Sequence, residues 1–232
     1  MEAEEWKEEC LDQLEKGTNR DYAYECCDSL HDLYVVTHSM ILSMKNAYFN
    51  IARVYFVEVQ SLVDIVENEL DVEDDVFLFV DAVLDSFQDF KKDALHLFHV
   101  SHKEVSNVGQ IINKVTSNLD RVYHSCALPP EEKVKLINDF TTYTEKLKAR
   151  LSDVNKSIDN AKKILRKTQR LSDFEDTQDY FHKALDEVSD SILEAIKCLC
   201  CMERTLNEYV EKHVGISIHV ICGKEACKDK QC

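Results

Sequence analysis

Residues 137–168 read INDFTTYTEKLKARLSDVNKSIDNAKKILRKT, and within them Ile137, Phe140, Thr144, Leu147, Leu151, Val154, Ile158, Ala161, Leu165 and Thr168 follow one another in alternating steps of three and four. A strand would repeat every second residue, whereas steps of three and four trace one face of a helix. A sustained seven-residue repeat is the pattern that lets helices pack side by side as coiled coils. The stretch is therefore predicted to be a long helix with a narrow apolar seam.

The same period extends outward on both sides. Before it, Val76, Val80, Val83, Phe87, Phe90, Ala94, Phe98, Ser101, Val105, Val108, Ile112, Val115, Leu119, Val122 and Cys126 form a second stripe. After it, Phe174, Gln178, Phe181, Leu185, Val188, Ile192, Ala195, Leu199, Met202, Leu206, Tyr209 and His213 form a third. Residues 18–70 carry a broader stripe through Leu30, Tyr34, Thr37, Ile41, Met44, Tyr48, Ile51, Tyr55, Val59, Leu62 and Val66, widened by Leu33, Val36, Met40 and Val57.

Boundary signals cut the pattern into helices. Gly17, Thr18 and Asp21 read as a C′ glycine, an N-cap and an acidic N3 residue. Leu128-Pro129-Pro130-Glu131-Glu132 stops one helix and starts another, and Ser172 with Glu175 reads as a capping box. A turn is placed at Asp71-Val72-Glu73-Asp74-Asp75, because a single helix from residue 18 to 126 would be roughly 160 Å long at 1.5 Å per residue. Gly109 is a weak point inside the second rod. The expected fold is all-α. It is an elongated antiparallel bundle of four long coiled-coil-like helices over 18–214 (about 18–70, 75–127, 130–169 and 172–214), with a short acidic N-terminal helix over 1–17 and an extended or disordered Cys-rich tail over 215–232.

Composition narrows the function. Four glycines and two prolines in 232 residues are too few for a chain of tight turns. A formal charge of −16 disfavours nucleic acid and anionic lipid as general partners. The longest uncharged run among the early apolar residues, between Asp32 and Lys45, is shorter than the roughly 20 residues a spanning helix needs, so no transmembrane segment is expected. The opening MEAEEWKEEC lacks the basic and apolar regions of a secretory signal, which predicts a cytoplasmic protein with reduced thiols.

Four residue sets bear on chemistry. His96, His99 and His102 follow Asp89 and Asp93, but the stripe through Phe98 turns Asp89, Asp93 and His96 toward solvent. Six of the ten cysteines (Cys198, Cys200, Cys201, Cys222, Cys227 and Cys232) crowd the C-terminal region. Cys222, Cys227 and Cys232, with His213 and His219, are candidate zinc ligands, although their spacing of five exceeds the usual two to four. The same three cysteines, set among lysines, are candidate acylation sites. The expectation is that Cys198, Cys200 and Cys201 pack as small hydrophobes and that Cys222, Cys227 and Cys232 are free thiols. Finally, residues 131–170 hold eleven Lys or Arg against six acids, so Lys146, Lys148, Arg150, Lys162, Lys163, Arg166 and Lys167 either neutralise neighbouring helices or dock an acidic partner or lipid.

No GxSxG, P-loop, GxGxxG or HExxH motif is present. The reading is a non-enzymatic, cofactor-free cytosolic scaffold that presents coiled-coil surfaces to a helical or acidic protein partner or to itself. The alternative is a peripheral membrane-binding or membrane-remodelling rod using the basic helix and acylated terminal cysteines. In architecture alone such rods resemble coiled-coil adaptors, BAR-type membrane-shaping proteins and helical pore formers.

Overall fold

The computed structural model describes residues 3–17, 19–69 and 76–223. Every regular element among them is helical: α1 (Ala3–Leu14), α2 (Arg20–Arg53), a π-helical segment (Val54–Val59), α3 (Gln60–Glu69), α4 (Val76–Ser125), α5 (Pro130–Lys167) and α6 (Leu171–His213). The turn expected at 71–75 lies outside the described residues. No described helix is long and apolar enough to cross a membrane.

The heptad seams form the core. On α5, Phe140, Leu147, Val154, Ile158, Ala161 and Leu165 are fully buried, and on α6 so are Phe181, Leu185, Val188, Ile192, Ala195, Leu199, Met202 and Leu206. At the start of α5, Leu136 takes the innermost position and Ile137 is half-exposed. Every stripe residue from Val83 on α4 to Cys126 just past its end is buried, but Val80 is 43% exposed.

The helix ends depart from the sequence reading in chemically similar ways. The side chain of Asn19 accepts the N–H of Asp21 (3.0 Å) and caps α2; Thr18 lies outside the described residues. At the start of α6, Asp173 rather than Glu175 accepts the N–H of Arg170 (3.0 Å) and of Gln169 (3.2 Å). That is the back-bonding half of a capping box. Pro130 occupies the first position of α5, where its missing N–H costs nothing. Gly215 ends α6 at φ +84°, and its N–H donates to the Val210 carbonyl (3.2 Å).

The π-segment explains a local departure after Ile51: Val54 takes the buried place expected of Tyr55, and Val59 and Leu62 are buried as expected. Buried positions there run Ala47, Ile51, Val54, Val59 and Leu62, with a step of five where an α-helix takes three or four. One inserted residue turns the following side chains about a third of the way round. Val57, expected in the core, is 52% exposed.

By its contacts the chain gathers into two compact units. Unit 1 comprises Met1–Met44, Ser106–Arg150 and Glu194–Cys232, and unit 2 comprises Lys45–Val105 and Leu151–Leu193. Helices α2, α4, α5 and α6 each contribute to both.

Candidate functional site

Unit 1 holds all ten cysteines of the chain, and the expectation of reduced thiols fails there. Cys10 is bonded to Cys27, Cys26 to Cys126, and Cys200 to Cys222. Adjacent residues on a helix point about 100° apart, so the Cys26-Cys27 pair on α2 grips two different neighbours. One is α1 through Cys10, and the other is the end of α4 through Cys126. Salt bridges reinforce the same junction: Lys7 on α1 meets Asp28 (2.5 Å), and Arg121 on α4 meets both Asp28 and Asp32. The hydrogen bond from Lys7, aided by Arg121, holds the Asp28 carboxyl below its ordinary range against partial burial.

The tail after α6 doubles back along its own helix. Ile216 and Ile218 are buried while Ser217 and His219 are exposed, as an extended segment requires. Ser217 Oγ donates to Glu211 (2.6 Å), the Ile218 N–H to Asn207 Oδ1 (2.9 Å), and the N–H groups of Ile221 and Cys222 to the two oxygens of Glu203 (2.8 and 3.0 Å). Beyond these contacts lies the Cys200–Cys222 bond. Cys200 and Glu211 stand roughly 16 Å apart along α6 at 1.5 Å per residue, about the reach of extended chain from Ser217 to Cys222. The two backbones therefore keep step.

Glu203 is the centre of this clamp. Its side chain is fully buried, and His38 Nε2 on α2 lies 2.8 Å from Oε1. Burial pushes the carboxyl up, but the hydrogen bonds from His38 and from the Ile221 and Cys222 amides outweigh it and hold the group below its ordinary value. Tyr34, its ring tilted against that of His38 with centroids 4.1 Å apart, donates its hydroxyl to the His219 carbonyl (3.4 Å). The arrangement gives the extended tail the acceptors that a sheet neighbour would otherwise supply: a carboxylate has lone pairs enough for two amides and an imidazole at once.

Sequence reading missed Glu203. Its signal is a charged residue on the otherwise apolar stripe Leu199, Glu203, Leu206 and Val210, of which the other three are buried.

Unit 2 contains no cysteine. Its core is a cluster of Phe87, Phe90, Phe98, Phe174 and Phe181, with ring centroids 5.4 to 6.3 Å apart. Its surface carries Phe49, Phe56, Leu78 and Tyr180, each 68 to 70% exposed. No other large apolar side chain among the described residues is so open.

The other sequence-predicted residues do not converge. Cys222 is bridged and so is neither a free thiol, a zinc thiolate nor an acylation site; Cys227 and Cys232 lie outside the described residues. His213 packs on Tyr209 and lies 3.7 Å from Glu132, and His219 takes part through its backbone carbonyl. Among the described residues no three His, Cys, Asp or Glu side chains stand close enough to hold a metal ion. In the basic helix, Arg150 pairs with Glu194 on α6 (3.9 Å) and Lys162 with Asp159 (3.5 Å), while Lys146, Lys148, Lys163, Arg166 and Lys167 are exposed. A small cavity of about 40 Å³ sits among Leu14, Tyr22, Cys26, Leu128 and Val214, room for about one water.

Compared with protein-family models, with curated proteins and with solved structures, the chain matches none of them.

Proposed function

We propose that this protein is a non-enzymatic helical binding module that matures in an oxidising compartment, with unit 1 as a stapled frame and unit 2 as the recognition half. The observation that carries it is segregation. All ten cysteines fall in unit 1, whereas the four most exposed large apolar side chains among the described residues fall in unit 2. Disulfides persist where glutathione and thioredoxin do not reduce them, so the bridges favour an extracytoplasmic setting over the cytoplasm expected from the N-terminus. Contiguous apolar surface left in water marks an interaction site, and the concentration of these side chains in unit 2 favours such a surface there.

Photo-crosslinking tests the reading on protein from its native source. A benzophenone side chain at Phe56 or Tyr180 should capture a partner of one defined mass, and one at Lys148 in unit 1 should not. Peptide mapping of the same material without reductant should return the three bridged pairs. Cys10, Cys26, Cys27, Cys126, Cys200 and Cys222 recovered as thiols, or capture indifferent to position, would defeat the proposal.

A further inference from the structure

The turn between α5 and α6 packs partway along α4 rather than at its beginning. Lys91 Nζ donates to the Thr168 carbonyl at that turn (2.6 Å), and Phe174 at the start of α6 packs on Phe87 and Phe90. Yet α4 begins at Val76, roughly 22 Å of helix earlier at 1.5 Å per residue. Val80, Leu84, Phe87 and Lys91 lie on one stripe of α4, in steps of four, three and four. Phe87 is fully buried, while Leu84 and Val80, one and two turns back, are 41% and 43% exposed. Val83, on the other flank of Phe87, is 4% exposed, so what lies bare beyond the α6 cover is the flank formed by Val80 and Leu84.

Charge identifies what fits there. Between Arg53 and Lys91 the sequence has no Lys, Arg or His and eleven Asp or Glu. Asp81 and Asp85 are exposed on α4 beside the bare stripe, and Asp64 and Glu67 are exposed on α3. A bilayer with anionic headgroups is repelled by such a field, and so is a second copy of the same acidic surface. An apolar seam continuing a helical bundle, flanked by acids, matches a helix with one apolar face and lysines or arginines beside it.

We propose that the flank of α4 carrying Val80 and Leu84 is a docking surface for a cationic amphipathic helix, which takes the place along these two residues that α6 takes along Phe87. This deepens the reading of unit 2 as the recognition half and rests on it.

The test uses the oxidised full chain and a labelled synthetic helix with leucine at the heptad seam and lysine elsewhere, followed by fluorescence anisotropy. Binding should saturate and weaken with added salt. It should fall at least tenfold in Val80→Lys/Leu84→Lys and severalfold in Asp81→Asn/Asp85→Asn, and remain unchanged in Val134→Lys, which alters an exposed apolar residue of unit 1. Circular dichroism checks each fold. Should the lysine pair unfold, Leu84→Ser and crosslinking from a benzophenone at Leu84 give the same readout. Absence of binding, or equal binding to the glutamate counterpart of the peptide or by the Val80/Leu84 variants, overturns the proposal. So does a doubling of mass abolished by Leu84→Ser, which would make the face a self-association surface, or Leu84-dependent binding to phosphatidylserine vesicles, which would make it a membrane surface. These failures leave the bridged pairs of unit 1 and capture at Phe56 intact, so they are distinct from failure of the broader reading.

Discussion

Glu203 shows how much a single buried charge can organise. Replacing it with Gln keeps the shape but turns an NH₂ group toward amides that need an acceptor. Loss of a buried hydrogen bond of this kind costs about 1–3 kcal/mol, so Glu203→Gln should melt earlier and lose exchange protection at the Ile221 and Cys222 amides. The pH dependence has a definite sign. The folded carboxyl titrates below the ordinary glutamate value of about 4.3. Its contribution is therefore complete above that pH and is lost as pH falls through the lower folded value. A melting series should show wild type and Glu203→Gln converging in acid; a gap that stays constant down to low pH would show that the carboxylate charge does not hold the tail. In the core, Leu151 is 6% exposed at the middle of its seam. Leu151→Ala should cost about 2–5 kcal/mol, and an unchanged melting curve would show that the seam is misassigned.

Each helix combines an apolar seam with local exceptions, and these are separately testable. Gly109 sits mid-helix on α4, exposed, with nothing within 4 Å of where a Cβ would lie. Gly109→Ala should therefore stabilise by about 0.5–1 kcal/mol through helix propensity alone, read as a raised denaturation midpoint with an unchanged slope. The tail has two fastenings, the Cys200–Cys222 bond and the Glu203 clamp. Cys200→Ser/Cys222→Ser should keep the tail docked at neutral pH and release it in acid, seen as exchange of the Ile218 and Ile221 amides. Release at neutral pH would show that the clamp cannot hold without the bond.

Across the whole molecule, the three described bridges constrain the unfolded chain unequally. Cys26–Cys126 spans 100 residues, against 17 for Cys10–Cys27 and 22 for Cys200–Cys222. Chain-entropy reasoning gives about 4.7 kcal/mol for a loop of the first size and about 3 kcal/mol for loops near the others. Cys26→Ser/Cys126→Ser should consequently destabilise more than Cys10→Ser/Cys27→Ser, measured as chemical denaturation midpoints of oxidised protein. The reverse order would mean that local packing at α1, where Trp6 is buried against Tyr34, outweighs loop closure.

The division between what was legible in sequence and what was not follows the range of the interactions. Helical period is a local property, so the seams from Val83 to Cys126, from Phe140 to Leu165 and from Phe181 to Leu206 could be read residue by residue. The Val54–Val59 π-step has no such local signature, and Val57 was misplaced with it. Where α5 turns into α6 along α4 depends on the packing of residues far apart in the chain. For that reason no pattern in VFLFVDAVLDSF could show that Val80 is bare while Phe87 is buried. The same distance hides the cysteine partners: Cys26 and Cys126 are brought together by two long helices meeting at one end, and Glu203 looks like a surface acid until the returning tail supplies the amides that justify burying it. Sequence alone determined which residues face inward along most of each seam; tertiary structure decided where a seam is left bare, as at Val80, and what each face meets, because contact across the chain depends on folded geometry that no local period records.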